Sequence, residues 1–314
     1  MRRLLIVLML VALPAYTAAL TPLIEVDVTV VGENGRPLEG VSVRGDFVGV
    51  VPGDGHVERQ VTDEKGFAKL LGRSFFPVRV TAGKLGYYET LVEINTKEVG
   101  EKEYSDQEIT LTLREKRNPI PLYAIKYSGE IPVAEEWVGF DLQKADWVSP
   151  YGDGVVPDFL FWYEGSVESF LNAEGVLKVR FSSPDDGLRE IEPLTTYSRL
   201  LVPHEAPKSG YVGGEKIFIF KVTGEPPILK GGSAYYFARI RSERDSKGDL
   251  IESHYAKIYE GISFDPRMKD GESGVAWVGF TYYFNPVSND RNLEFDTSRN
   301  LFNELSFDQR VKNP

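Results

Sequence analysis

The chain has 314 residues, 42% of them apolar and 12% aromatic, a composition of folded globular protein with enough length for two cores. Its formal charge of −11 repels phosphate backbones and anionic lipid, so a nucleic-acid partner is not expected. No cysteine is present, which excludes disulfides, thiolate metal sites, a thiol nucleophile and a lipidated N-terminal cysteine together.

The first residues, MRRLLIVLMLVALPAYTAAL, have the parts of a secretory signal. Arg2 and Arg3 give the positive start, residues 4–13 the apolar stretch, and Pro14 breaks it before the small residues Thr17, Ala18 and Ala19. Cleavage after Ala19 is expected, with export to the periplasm or the medium. The rival reading is an uncleaved anchor, but about ten apolar residues fall short of the roughly twenty that span a bilayer. No later segment is long and apolar enough to cross, so no membrane span is expected after cleavage. Loss of both arginines makes the remaining chain two charges more negative.

From residue 23 the pattern alternates with period two. Ile24, Val26, Val28 and Val30 share one face, against Glu25, Asp27 and Thr29 on the other, as in one wall of a β-sandwich. Asn34-Gly35 supplies a tight turn, and Val41-Ser42-Val43 starts the next strand. Residues 48–55 read as a loop or hairpin tip. Further strands are predicted at 56–62, 67–71, 77–82, 87–94 and 108–113, seven in all, with turns at 63–66 and elsewhere.

The order Asn34-Gly35-x-Pro37-Leu38-x-Gly40-Val41-x-Val43, then Thr62-Asp63-x-x-Gly66-Phe67, then Val78-Arg79-Val80-Thr81-Ala82 and Gly86-Tyr87-Tyr88, resembles the carboxypeptidase regulatory-like domain. The resemblance covers residues 23–113, about a third of the chain. It implies a seven-stranded transthyretin-like or prealbumin-like sandwich with an accessory or adhesive role, and no peptidase activity. The insert at 46–55 is longer and richer in glycine than that pattern needs. Glycines at 40 and 66 suit turns that need a relaxed backbone, and Asp63 is placed to cap its own turn.

The expected domains are therefore a signal at 1–19, a first sandwich at 20–115, a linker at 116–121 and a β-rich domain at 122–314. The linker is charged and then interrupted by Pro119 and Pro121. Beyond it, strands are predicted at 137–142, 159–163, 176–181, 216–222, 234–242, 254–259 and 275–284, with a hairpin tip at 244–248. Residues 166–172 are the one helix candidate. The fold class is all-β, with a second, larger sandwich or jelly-roll-like domain after the first. Trp-Val-Gly-Phe occurs at 137–140 and again at 277–280, but the flanks differ and no repeat is inferred.

Chemistry is sparse. His56, His204 and His254 lie in separate segments without ligand spacing. Asp153, Asp158, Asp185 and Asp186 lie in acidic loops that lack the order of a calcium loop. No G-x-S-x-G elbow or phosphate loop is present. No catalytic residue, metal or cofactor is assigned, and the oligomeric state is left open. A pair of carboxylates for glycoside hydrolysis stays open, because 47 acidic residues always bring some pair close.

The feature that suggests binding is aromatic. Trp137, Trp147, Tyr151, Trp162 and Tyr163 crowd one stretch, and Tyr235, Tyr236, Trp277, Tyr282 and Tyr283 sit on later strands. Alternation sends one of two adjacent aromatics outward, which nominates Tyr163, Tyr236 and Tyr283, while Trp147 and Tyr151 belong to a proline-marked loop. The reading is of a secreted or periplasmic, non-catalytic protein that contacts a glycan or a protein at a bacterial cell envelope. A glycosidase with its site in 122–314 and a structural subunit of an envelope assembly are the alternatives.

Overall fold

The computed structural model describes residues 21–49, 55–95, 107–194, 197–224, 234–268 and 275–314. The leader and most of the loop tip at 48–55 lie outside the described residues. Every regular element described is a strand, so the protein is all-β. The described residues divide into two compact units, one formed by those up to residue 116 with 197–201, the other by those of 117–194 and 202–314.

The first unit has two four-stranded sheets. One is ordered β4 (Phe67–Arg73), β1 (Leu23–Gly32), β8 (Gln107–Glu115), β6 (Tyr87–Tyr88). The other is ordered β3 (His56–Val61), β2 (Ser42–Phe47), β5 (Val78–Gly83), β7 (Thr90–Ile94). The period-two face of β1, Ile24 to Val30, packs with Val43, Phe47, Leu70, Val80 and Leu113 in one core. The stretch read as a single strand at 87–94 is two, because the chain changes sheets at Glu89: β6 pairs with β8 and β7 with β5. At the other end, Asp63 caps its own turn by accepting hydrogen bonds from the Lys65 and Phe67 amides, both at 2.9 Å. Gly66 has φ +74°, and a Cβ there would come within 2.4 Å of the Val30 carbonyl, so the turn requires glycine. Residues 197–201 complete this unit from far along the chain: the Leu91 amide donates to Tyr197 O, and buried Arg114 donates to Leu200 O.

The second unit is a sandwich of two five-stranded sheets. The first sheet is ordered β11 (Asp146–Trp147), β10 (Val138–Asp141), β12 (Phe159–Ser169), β13 (Asn172–Arg180), β15 (Lys216–Thr223). The second is ordered β14 (Gly187–Ile191), β16 (Tyr235–Arg244), β17 (Leu250–Asp265), β18 (Ala276–Asn285), β9 (Tyr123–Ile131). Phe140, Phe159, Phe161 and Phe280 fill the space between them, with Phe280 touching rings of the opposite sheet 5.4–6.3 Å away. The two Trp-Val-Gly-Phe stretches lie in facing sheets, each directing its valine and phenylalanine into this core. The helix expected at 166–172 is absent: β12 runs on to Ser169 and turns through Phe170-Leu171 into β13. Of the segment read as a linker, 116–121, all but Lys116 belongs to this unit, where the Glu294 carboxylate accepts hydrogen bonds from the Arg117 and Asn118 amides.

The second sheet is covered on its outer face as well. Residues 202–212 and 286–314 lack strands of their own, yet they bury Leu293, Phe295, Val202 and Ala206. Tyr283 and Tyr259 donate their hydroxyls to the carbonyls of Asn313 and Pro314, each at 3.0 Å. Lys257, fully buried between them, holds its ammonium 4.3 Å from the Tyr283 ring centre.

One charged cluster ties the sheets together. Arg241, on β16 with φ +54°, makes a two-pronged contact with buried Asp158 at 2.7 and 2.9 Å and reaches Asp141 at 3.3 Å. Burial works to raise the Asp141 carboxyl, but the amides of Val155, Val156 and Gln143, with Arg241, outweigh it and hold the group below the usual carboxylate range. Arg241→Met strands two buried carboxylates and is expected to cost about 3–5 kcal/mol. All four tryptophans lie in this unit, so their emission during urea unfolding reads the loss; an unmoved midpoint refutes the role. Because the Asp141 pKa is lowered by folding, its contribution is present above the unfolded value of about 3.9 and is lost as pH falls through the folded one. Asp141→Asn is therefore expected to flatten the acid limb of the stability profile below that value, as measured by urea midpoints against pH.

Candidate functional site: an aromatic cleft at a strand bulge

Four of the five aromatics nominated from sequence are in the core. Trp147 is only 5% exposed and wedges against Phe140, Phe161 and Tyr127. Tyr163 packs on Phe264, Tyr236 lies among the inter-sheet residues, and Tyr283 is fully enclosed beneath the C-terminal segment. Tyr283 does point away from the first sheet, but its own sheet has no solvent face there, whereas Tyr236 is the inward member of its pair and its neighbour Tyr235 on the other side is covered as well. For Tyr163 the alternation holds with the opposite sense, and Trp162 takes the outer face, with the Lys178 ammonium 4.1 Å from its ring centre. Trp137 also faces outward, stacked under the Arg180 guanidinium at 3.9 Å. Tyr151 alone is accessible, 40% exposed, with its hydroxyl 3.3 Å from Glu136. These five residues therefore form no common site.

A different group does converge. The pairing of β17 with β18 slips between Tyr259 and Ile262, and the extra residues Glu260 (φ +61°) and Gly261 (φ +75°) bulge from the strand. A left-handed glutamate is a strained position, of a kind that collects at functional sites. The bulge opens a cleft of about 210 Å³ bordered by Tyr259, Glu260, Ser263, Trp277, Gly279 and Thr281. Trp277 lies flat along its own strand because Gly279 has no side chain: a Cβ there would come within 2.4 Å of the indole. The indole N–H donates to Ser128 Oγ at 2.8 Å, which fixes the ring plane, and Ser263 Oγ donates to Gly279 O at 3.1 Å. The Glu260 carboxylate also acts outward on its surroundings: burial first, and then this charge, raise the Tyr235 phenol.

Chemically the cleft offers an orientated aromatic ring, hydroxyls and one carboxylate. It is smaller than the roughly 300–1,000 Å³ of sites for drug-sized ligands, and suits a single ring. Glu260 is the one carboxylate among its lining residues, whereas glycoside hydrolysis uses two about 5–10 Å apart. Among the described residues no cluster of three or more histidine, aspartate or glutamate side chains could hold a metal ion. The acidic loops singled out in the sequence serve the fold instead: Asp158 and Asp186 hold Arg241 and the Ser242 amide, and Asp185 pairs with Arg244. The sequence carried one faint signal for the cleft, a Glu-Gly pair interrupting an otherwise continuous strand pattern, as a bulge does.

The structure thus defines an all-β protein of two sandwich-like units, with an aromatic cleft on the second. No family model matches the sequence, and no curated protein matches it. Among solved structures it is similar to 3-chlorocatechol 1,2-dioxygenase from Rhodococcus opacus 1CP, at 12% identity and a TM-score of 0.27 over 31% of this chain and 61% of that one. Catechol 1,2-dioxygenase from Pseudomonas arvilla C-1 gives 11% identity and a TM-score of 0.25 over 32% of this chain and 54% of that one. A DUF3823 family protein from Parabacteroides merdae ATCC 43184 gives 12% identity and 0.22 over 70% and 91%. The chain therefore spans little more than half the length of the two dioxygenases, and likeness at this level assigns no activity.

Trp147→Ala is expected to act on the fold, at about 3–5 kcal/mol, measured by urea unfolding. Gly279→Ala is expected to lift Trp277 off its strand, shifting tryptophan emission with a smaller stability loss; unchanged emission contradicts the packing described.

Proposed function

We propose that the protein is an exported, non-catalytic binding protein that holds a glycan at a bacterial cell envelope, through the cleft at the β17 bulge. The observation that carries this reading is Trp277, a ring fixed flat by Gly279 and Ser128 at a cleft that also presents Glu260, Ser263 and Thr281. The C–H faces of a sugar stack on such a ring, while its hydroxyls find the carboxylate and the serine and threonine oxygens. The single lining carboxylate favours holding over hydrolysis. Export rests on the leader-like first residues, and the accessory character of the first unit rests on its resemblance to the carboxypeptidase regulatory-like domain. Among the described residues no helix is long and apolar enough to cross a membrane.

The test is binding of the purified protein to a panel of soluble and insoluble polysaccharides and peptidoglycan, followed by tryptophan emission. Saturable binding is expected, with a spectral shift that disappears in Trp277→Ala and an affinity lowered about tenfold or more in that variant. Glu260→Gln is expected to weaken binding less. Binding undiminished in Trp277→Ala, or none across the panel, overturns the reading.

A further inference from the structure

We propose that β15 pairs antiparallel with β15 of a second copy of this chain, joining two five-stranded sheets across a two-fold axis at Phe218. The strand is the outer member of its sheet, and β13 is its one hydrogen-bonded neighbour among the described strands. Exposed edges are normally blunted by shortness, proline or a bulge. The opposite edge of this sheet, β11, follows that rule with two residues. β15 does not: it is eight residues long, KIFIFKVT, without proline or glycine, and in unbroken register with β13 from Lys216 to Thr223.

Its side chains are exposed in a way that solvent alone does not explain. Ile217 and Ile219 are 53% and 77% exposed, whereas Phe220 and Val222, of the opposite parity, are buried. Val176, opposite Ile219 on β13, continues the apolar strip inward, and Lys178, opposite Ile217, lies over Trp162.

The sequence around Phe218 identifies a second copy as the occupant. In Glu215-Lys216-Ile217-Phe218-Ile219-Phe220-Lys221, an antiparallel pairing centred on Phe218 sets Ile217 against the partner's Ile219, and Ile219 against the partner's Ile217. It also sets Glu215 against the partner's Lys221, and Lys221 against the partner's Glu215, on the same outward face. Both isoleucine pairs and both charge pairs are matched at once. A shift of the centre by one residue to Ile219 sets Lys221 against the partner's Ile217 and leaves Glu215 opposite a threonine. The contact is isologous and closes at two copies, and cross-strand apolar and opposite-charge pairs are the units that stabilise it.

The experiment is sedimentation velocity on the full chain over a range of concentrations. A concentration-dependent dimer is expected. Lys221→Glu and Glu215→Lys, each placing like charges opposite one another twice, are expected to raise the dissociation constant about tenfold. The double variant restores opposite charges in reverse and is expected to recover most of the loss, which a fold defect would not do. Ile219→Lys, at a highly exposed position, is expected to give a monomer with unchanged tryptophan emission, whereas Trp277→Ala stays dimeric. A monomer at every concentration overturns the proposal, as does a dimer indifferent to Lys221→Glu, or a double variant no tighter than the single ones.

Discussion

Burial of the β16–β17–β18 sheet on both faces is the constraint on which the second unit depends. An antiparallel sheet ordinarily keeps one face wet, and its strands then alternate apolar and polar residues. Here Tyr235 and Tyr236, Tyr282 and Tyr283, and Lys257 with its neighbours Ala256 and Ile258 are all enclosed. The inner face meets the first sheet. The outer face is closed by irregular chain, which contributes Leu293 and Phe295 as apolar cover and its backbone carbonyls as acceptors for tyrosine hydroxyls. Irregular chain can do this because its polar backbone groups find partners in the sheet's side chains and bridges, such as Ile120 to Phe295.

That double burial also explains where function is possible. Most aromatic rings of this sheet are spent on packing, so aromatic content by itself is a poor guide to binding. The cleft forms where the sheet rule is broken, at the Glu260-Gly261 bulge, and where a glycine lets a tryptophan lie down instead of standing out from its strand. The first sheet of the same unit behaves differently. Its outer face is open and carries Trp137 and Trp162 beneath Arg180 and Lys178, a mixed aromatic and basic surface that runs toward the exposed isoleucines of β15. The two sheets thus differ: the covered sheet carries a small, shaped cleft, and the uncovered one presents a broad surface that ends, among the described strands, at β15.

Electrostatics follows the same division. The chain is acidic overall, yet two of its buried carboxylates, Asp141 and Asp158, are occupied in holding Arg241 between the sheets. Such a cluster is costly to desolvate, so its weight in the fold lies in leaving no buried charge unpaired rather than in net stability. Arg241 sits where β16 loses its regular pairing with β17, between Ile240 and Glu243. The cluster therefore replaces, with charge-assisted bonds, the ladder contacts missing there.

Period-two alternation and turn chemistry determined much of this protein from sequence. The valine face of β1, the Asp63–Gly66 turn, the hairpin at Gly248 and the all-β class each depend on residues within a few positions of one another, and such signals are written locally. What the tertiary structure decided depends on partners distant in sequence. Residues 197–201 complete the first unit from beyond β14, and Glu294 fixes residues 117 and 118 across more than 170 positions. The helix expected at 166–172 gave way to a hairpin in which residues 166–169 pair with the start of β13, which finds its other neighbour in β15. Alternation separates two faces in β12, β16 and β18, but it tells neither which face turns inward, as Tyr163 and Tyr236 do, nor what covers a face. Whether Tyr283 meets water or Phe295, and whether Trp277 stands or lies flat, is settled only when the rest of the chain has folded against them.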